Sequence, residues 1–111
     1  VWVKLSFEIP YYAVIFTSLR KMDAHDYNQI AERMEQLSRN QSGFLGIQSV
    51  REDKGLGITV SYWKNIEDVL NWKMNVEHRE AQSKGKSDWY KGYEVRICKV
   101  EREYDFGSLD I

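Results

Sequence analysis

The chain has 111 residues, 42% apolar and 30% charged, with sixteen basic side chains against seventeen acidic ones. That is one domain with one core, and it lacks the charge excess that marks a nucleic-acid or anionic-membrane binder. No apolar run reaches the roughly 20 residues of a membrane span, and no signal peptide is read at the start. A single cysteine, Cys98, excludes an internal disulfide and a thiolate metal cluster, so a reducing cytoplasm is the expected setting. Aromatics are 14% of the chain, which favours large flat contact surfaces in an interface or around a ligand.

Pro10 closes an N-terminal arm over residues 1–10. From Tyr11 to Leu19 β-branched and aromatic residues dominate, which predicts a strand that is apolar on both alternations. Asp23 and Asp26 suit the cap and first turn of a helix. Tyr27, Ile30, Ala31, Met34 and Leu37 then recur at helical spacing, and Asn40-Gln41-Ser42-Gly43 stops the pattern. Phe44 to Arg51 and Ile58 to Trp63 read as two strands joined by the turn residues Glu52-Asp53-Lys54-Gly55. Asn65 caps a second helix, with Asp68 reaching back, and Ile66, Val69, Leu70, Trp72 and Val76 form its buried side. Lys84-Gly85-Lys86-Ser87 breaks that helix, and Tyr93 to Arg102 is a fourth strand before a tail over residues 104–111. The order β-α-β-β-α-β predicts the ferredoxin-like α+β fold, a four-stranded antiparallel sheet with two helices on one face.

A sheet covered on one face leaves the other open. Here that face carries apolar residues from every strand, a patch of the kind that marks an interface. Pairing of two such sheets into a barrel-like homodimer is the economical solution.

The residues that carry a family resemblance run through the same elements. They are Gly43-Phe44-Leu45-Gly46, Tyr62-Trp63, Glu67-Asp68, Trp72, Glu77-His78, Ala81-Gln82, Trp89-Tyr90, Tyr93 and Arg96-Ile97. In this order and spacing the chain resembles the antibiotic biosynthesis monooxygenase family of dimeric α+β barrels, over about residues 11–103. The resemblance implies a homodimer paired through its sheet faces, with a pocket between sheet and helices in each subunit. It implies oxidation of a flat phenolic or polycyclic aromatic by O2, without metal or flavin. The alternatives are haem binding or haem degradation, and a non-catalytic dimer that binds a small molecule.

His78 and Arg96 are the candidate catalytic residues, and Trp72, Trp63, Tyr62, Phe16 and Tyr90 the candidate substrate-binding ones. His78 lies six positions after Trp72, about 120° away around the helix. It suits a general base for a phenol, a haem ligand, or a cation at the helix end. Haem-degrading relatives carry a histidine ten positions after the helix tryptophan, where this chain has Gln82, and an asparagine on the first strand, where it has Ile15-Phe16-Thr17-Ser18. Trp72 reads as core or as a pocket wall. Arg96 faces away from Val95 and Ile97, and needs either an ion pair, with Glu94 or across a dimer, or a substrate oxyanion. Trp89, Tyr90 and Tyr93 are packing aromatics or a set of phenol hydroxyls, His25 is a surface residue, and Cys98 is a small buried thiol. No phosphate loop or metal-ligand spacing appears, so neither a nucleotide nor a metal cofactor is expected.

Overall fold

The computed structural model describes residues 7–22, 27–82 and 89–109, with residues 30 and 78–82 described by backbone alone. Its elements are β1 (Tyr11–Arg20), α1 (Tyr27–Arg39), β2 (Phe44–Arg51), β3 (Leu56–Trp63), α2 (Ile66–Gln82) and β4 (Tyr90–Val100). They form one antiparallel sheet in the order β2-β3-β1-β4, the ferredoxin-like arrangement expected from the sequence. No helix among the described residues is long and apolar enough to cross a membrane.

Strand β2 keeps its expected limits, whereas β3 and β4 start earlier. Leu56 and Gly57 pair with Leu19 and Ser18, and Tyr90 pairs with Arg20 beyond an irregularity at Leu19/Arg20. Partners on β1 thus hold Gly57 and Gly92 extended, where local propensity is weak. The Asp23 and Asp26 caps and the Lys84–Ser87 break lie outside the described residues.

The turn from α1 into β2 depends on Gly43. Its φ is +79°, and a β-carbon there would overlap the Asp68 carboxylate at the start of α2. The Gly43 carbonyl accepts the Lys64 N–H at 2.8 Å, and the Val69 N–H returns to the Asn65 carbonyl at 3.4 Å. Both helix connections are thereby tied together at one end of the sheet.

Registers sort the side chains into two faces. Val14, Phe16 and Ser18 lie level with Ser61, Thr59 and Gly57 on β3, and with Ile97, Val95 and Tyr93 on β4. This face looks toward the helices. Val69 and Trp72 of α2, with Tyr27 and Ser38 of α1, cover part of it. Two expected core positions are exposed. Leu70 turns outward, about 100° around the helix from Val69, and Ala31 faces the open space between helices and sheet. Ser38, which the apolar periodicity passed over, is buried and donates to the Glu35 carbonyl at 2.6 Å.

The opposite face carries Ala13, Ile15 and Leu19 with Val60, Ile58 and Leu56. At one end it is covered: the Phe7 ring packs at 5.2 Å from Tyr11 and 5.6 Å from Tyr62. There the buried Tyr11 hydroxyl donates to Glu103 Oε2 at 2.6 Å, binding the strand to the chain beyond β4. Burial, then the hydrogen bond and the nearby negative charge, push the Tyr11 phenol up to about 12. A phenol that ionises later in the folded chain contributes stability below its ordinary value of 10.0 and loses it as pH climbs toward 12. Urea denaturation at about pH 9.5 and about pH 11.5 should therefore show a fall of up to ~2 kcal/mol. In Tyr11→Phe that fall should be markedly smaller.

Candidate functional site

Between the sheet and the two helices lies a cavity of about 700 Å³, inside the roughly 300–1,000 Å³ of small-molecule sites. It exists because the helices leave the Val95–Ile97 stretch of β4 largely uncovered. Val95 and Ile97 point to the helix layer yet remain 47% and 41% exposed. On α1 the wall comes from Tyr27, Ala31 and Met34, and on α2 from Val69, Trp72 and Val76, each set at helical spacing.

Two aromatic groups serve this space. Near the β1 N-terminus the Trp63 and Trp72 rings stack at 5.8 Å and 27°, and Phe44 meets Trp63 edge-on at 5.5 Å. Toward the other end Phe16 lies 5.5 Å from Tyr90 and 5.1 Å from Tyr93, and Tyr27 meets Tyr90 edge-on at 5.6 Å. Between them the floor is polar. Ser49 Oγ and Thr59 Oγ1 share a hydrogen bond of 2.7 Å, and Ser61 Oγ accepts the Trp63 ring N–H at 2.9 Å. At the rim Arg39 pairs with Glu35 and Lys73 with Glu77, each one helical turn apart, and Glu32 adds an exposed carboxylate.

The structure brings Trp72, Phe16 and Tyr90 together on this cavity. Trp63 supports it from behind: it is fully buried, and Ser61 satisfies its N–H, so it is a core residue and not a contact surface. Tyr62 is a correction to the sequence reading, and of the two expected settings for Arg96 the structure shows the Glu94 ion pair. Arg96 pairs with Ile15 across the sheet and so lies on the far face, where it bonds Glu94 at 2.8 Å in an exposed pair. Tyr62 is level with Ala13 on that same far face and donates to Gln48 Oε1 at 2.8 Å; burial, then the Glu103 charge, raise its phenol above the ordinary range. Neither reaches a molecule between sheet and helices. The His78 side chain lies outside the described residues, although its backbone continues α2. Cys98 shares the far face with Arg96 and is half-buried, and Trp89 is buried against the cavity wall.

Arg51 was missed. It ends β2 on the cavity side, in alternation with Ile47 and Ser49, and its guanidinium sits 5.1 Å from the Tyr27 ring centre. The period-two pattern of β2 placed it on one face with Ile47, but only the register with β3 shows that this face is the covered one.

Comparison with known proteins agrees with this architecture. A model of the antibiotic biosynthesis monooxygenase family matches residues 10–84. The chain belongs to that family. The uncharacterized Bacillus subtilis protein YqjZ is 49% identical over 96 residues, which are 86% of this chain and 84% of that one. Among solved folds, PA3566 of Pseudomonas aeruginosa has a TM-score of 0.65 at 18% identity, over 89% of this chain and all of its own. A Nitrosomonas europaea protein named for the same family has a TM-score of 0.68 at 16% identity, over 86% of this chain and 95% of its own. At those identities the two structures establish the shared fold.

The two tryptophans should separate in their effects. Trp63→Ala removes a fully buried indole and should cost ~3–5 kcal/mol, whereas Trp72→Ala, half-buried at the cavity wall, should cost less. Chemical denaturation of the two variants checks the order; a larger loss at Trp72 would contradict the division into support and wall.

Proposed function

We propose that this family member is a monooxygenase that oxidises a flat phenolic aromatic with O2 in the cavity between sheet and helices. The observation that carries the reading is the cavity itself: a volume of about 700 Å³ with aromatic walls at Trp72, Phe16 and Tyr90. Stacking faces on two sides suit a planar guest, and removal from water strengthens any charge interaction inside. The chemistry needs a substrate that gives an electron to oxygen once it loses its phenolic proton, and therefore needs a base. His78 is proposed for that role, on its place in α2 beyond Trp72 and on the suitability of an imidazole as a general base. No metal or flavin is assigned to the reaction. Anthrone in air-saturated buffer is the test substrate. Oxygen uptake should exceed the uncatalysed rate and fall roughly 100-fold in His78→Ala. Absence of uptake with wild-type protein, or an unchanged rate in the variant, would remove the oxygenase reading.

The same reading includes a homodimer paired through the open sheet faces. Ile58, Leu56 and Val50 are 47–57% exposed on that face, beside Val60 and Ile15. An exposed apolar sheet of this kind favours association. Sedimentation should give a dimer for the wild type and a monomer for Ile58→Asp. A wild-type monomer at micromolar concentration would contradict the pairing.

A further inference from the structure

We propose that Arg51 recognises a carboxylate on the guest of the cavity, so that the ligand is a planar aromatic acid and not a neutral aromatic. The proposal rests on the reading of the cavity as an aromatic-binding site and adds what that site selects.

Arg51 lines the cavity and is half-buried. Its guanidinium donates to the carbonyls of Ser18 and Gly55 and to Ser18 Oγ, all of them neutral acceptors. Among the described residues no carboxylate pairs with it: of the acids that line the cavity, Glu35 holds Arg39, Glu77 lies by Lys73 and Glu32 is exposed, and Glu52 beside it in the chain is exposed. A guanidinium in a partly desolvated wall with only neutral partners keeps its full positive charge and has N–H groups left to donate. A ligand carboxylate is the complement that this environment lacks.

The side chain is also held in place. It crosses β3 directly over Gly57, where a β-carbon would come within 2.8–3.0 Å of Arg51 atoms. The missing side chain at Gly57 lets an arginine on β2 reach Ser18 on β1. Beyond it the Tyr27 ring meets the guanidinium at 5.1 Å, and Tyr27 leads through Tyr90 to Phe16. An aromatic face and a fixed cation therefore adjoin at one end of the cavity. This is the geometry for an arene that ends in an acid group.

The test is calorimetric titration of the full chain with 2-naphthoate and with 2-naphthamide, an isosteric pair differing in charge. Naphthoate should bind wild-type protein at least about tenfold more tightly, and Arg51→Gln should remove that preference while naphthamide binding persists. The wild-type comparison stands even where the variant fails to fold. Equal affinities for the two probes would overturn the assignment of Arg51 and leave the aromatic site intact. A preference that survives in folded Arg51→Gln would also overturn it, since the anion is then read elsewhere. Binding of neither probe would overturn the aromatic-cavity reading together with this one.

Discussion

The register of β1 between β3 and β4 is the constraint on which the rest of this molecule depends. Strand side chains alternate with a period of two, so a slip of one residue would exchange Val14, Phe16 and Ser18 for Ala13, Ile15 and Thr17. The cavity would lose the Phe16 ring, and the open face would gain it. Pairing on both sides resists such a slip, with β1 matched from Tyr12 to Leu19 against β3 and from Tyr11 to Arg20 against β4. Arg51 adds a cross-brace: from β2 it passes over β3 and bonds Ser18 on β1. At the other end Trp63 fixes the sheet against Trp72 of α2.

A cavity in so small a domain needs support, because empty apolar space forfeits packing contacts. Here the support is concentrated at the two ends of β1. The Phe44, Trp63 and Trp72 rings fill one end, and the Phe16, Tyr27, Tyr90 and Tyr93 rings fill the other. The middle, over Ser61, Thr59 and Ser49, is left hollow. Its polar floor is internally hydrogen-bonded, so no buried side-chain donor or acceptor among the described residues lacks a partner. The hollow therefore leaves no polar group of its floor unpaired while presenting aromatic faces to a guest.

Much of the architecture was legible in the sequence. β2 followed from its bounding turns, and the Trp72 stripe from helical spacing. The family was recognisable from Tyr62-Trp63, Trp72 and the residues around them, and the family match over residues 10–84 agrees. The site was less legible. Tyr62 is adjacent in sequence to Trp63, and Arg96 is flanked by two cavity residues, Val95 and Ile97. Adjacency along a strand means opposite faces, so both belong to the far side. Arg51 was hidden for the complementary reason, since a charged residue at a strand end looks like solvent-exposed punctuation.

The sequence by itself determined the elements, their order, and which residues of each strand travel together on one face. These are local properties, written in periodicity, capping and turn residues within a few positions of one another. Only the tertiary structure decided which face the helices cover, how far they leave β4 bare, and that Arg51 reaches Ser18 over Gly57. Those outcomes arise from contacts between residues distant along the chain, such as Arg51 with Ser18 and Trp63 with Phe44. No local pattern encodes them, because each depends on where another strand has already placed its partner.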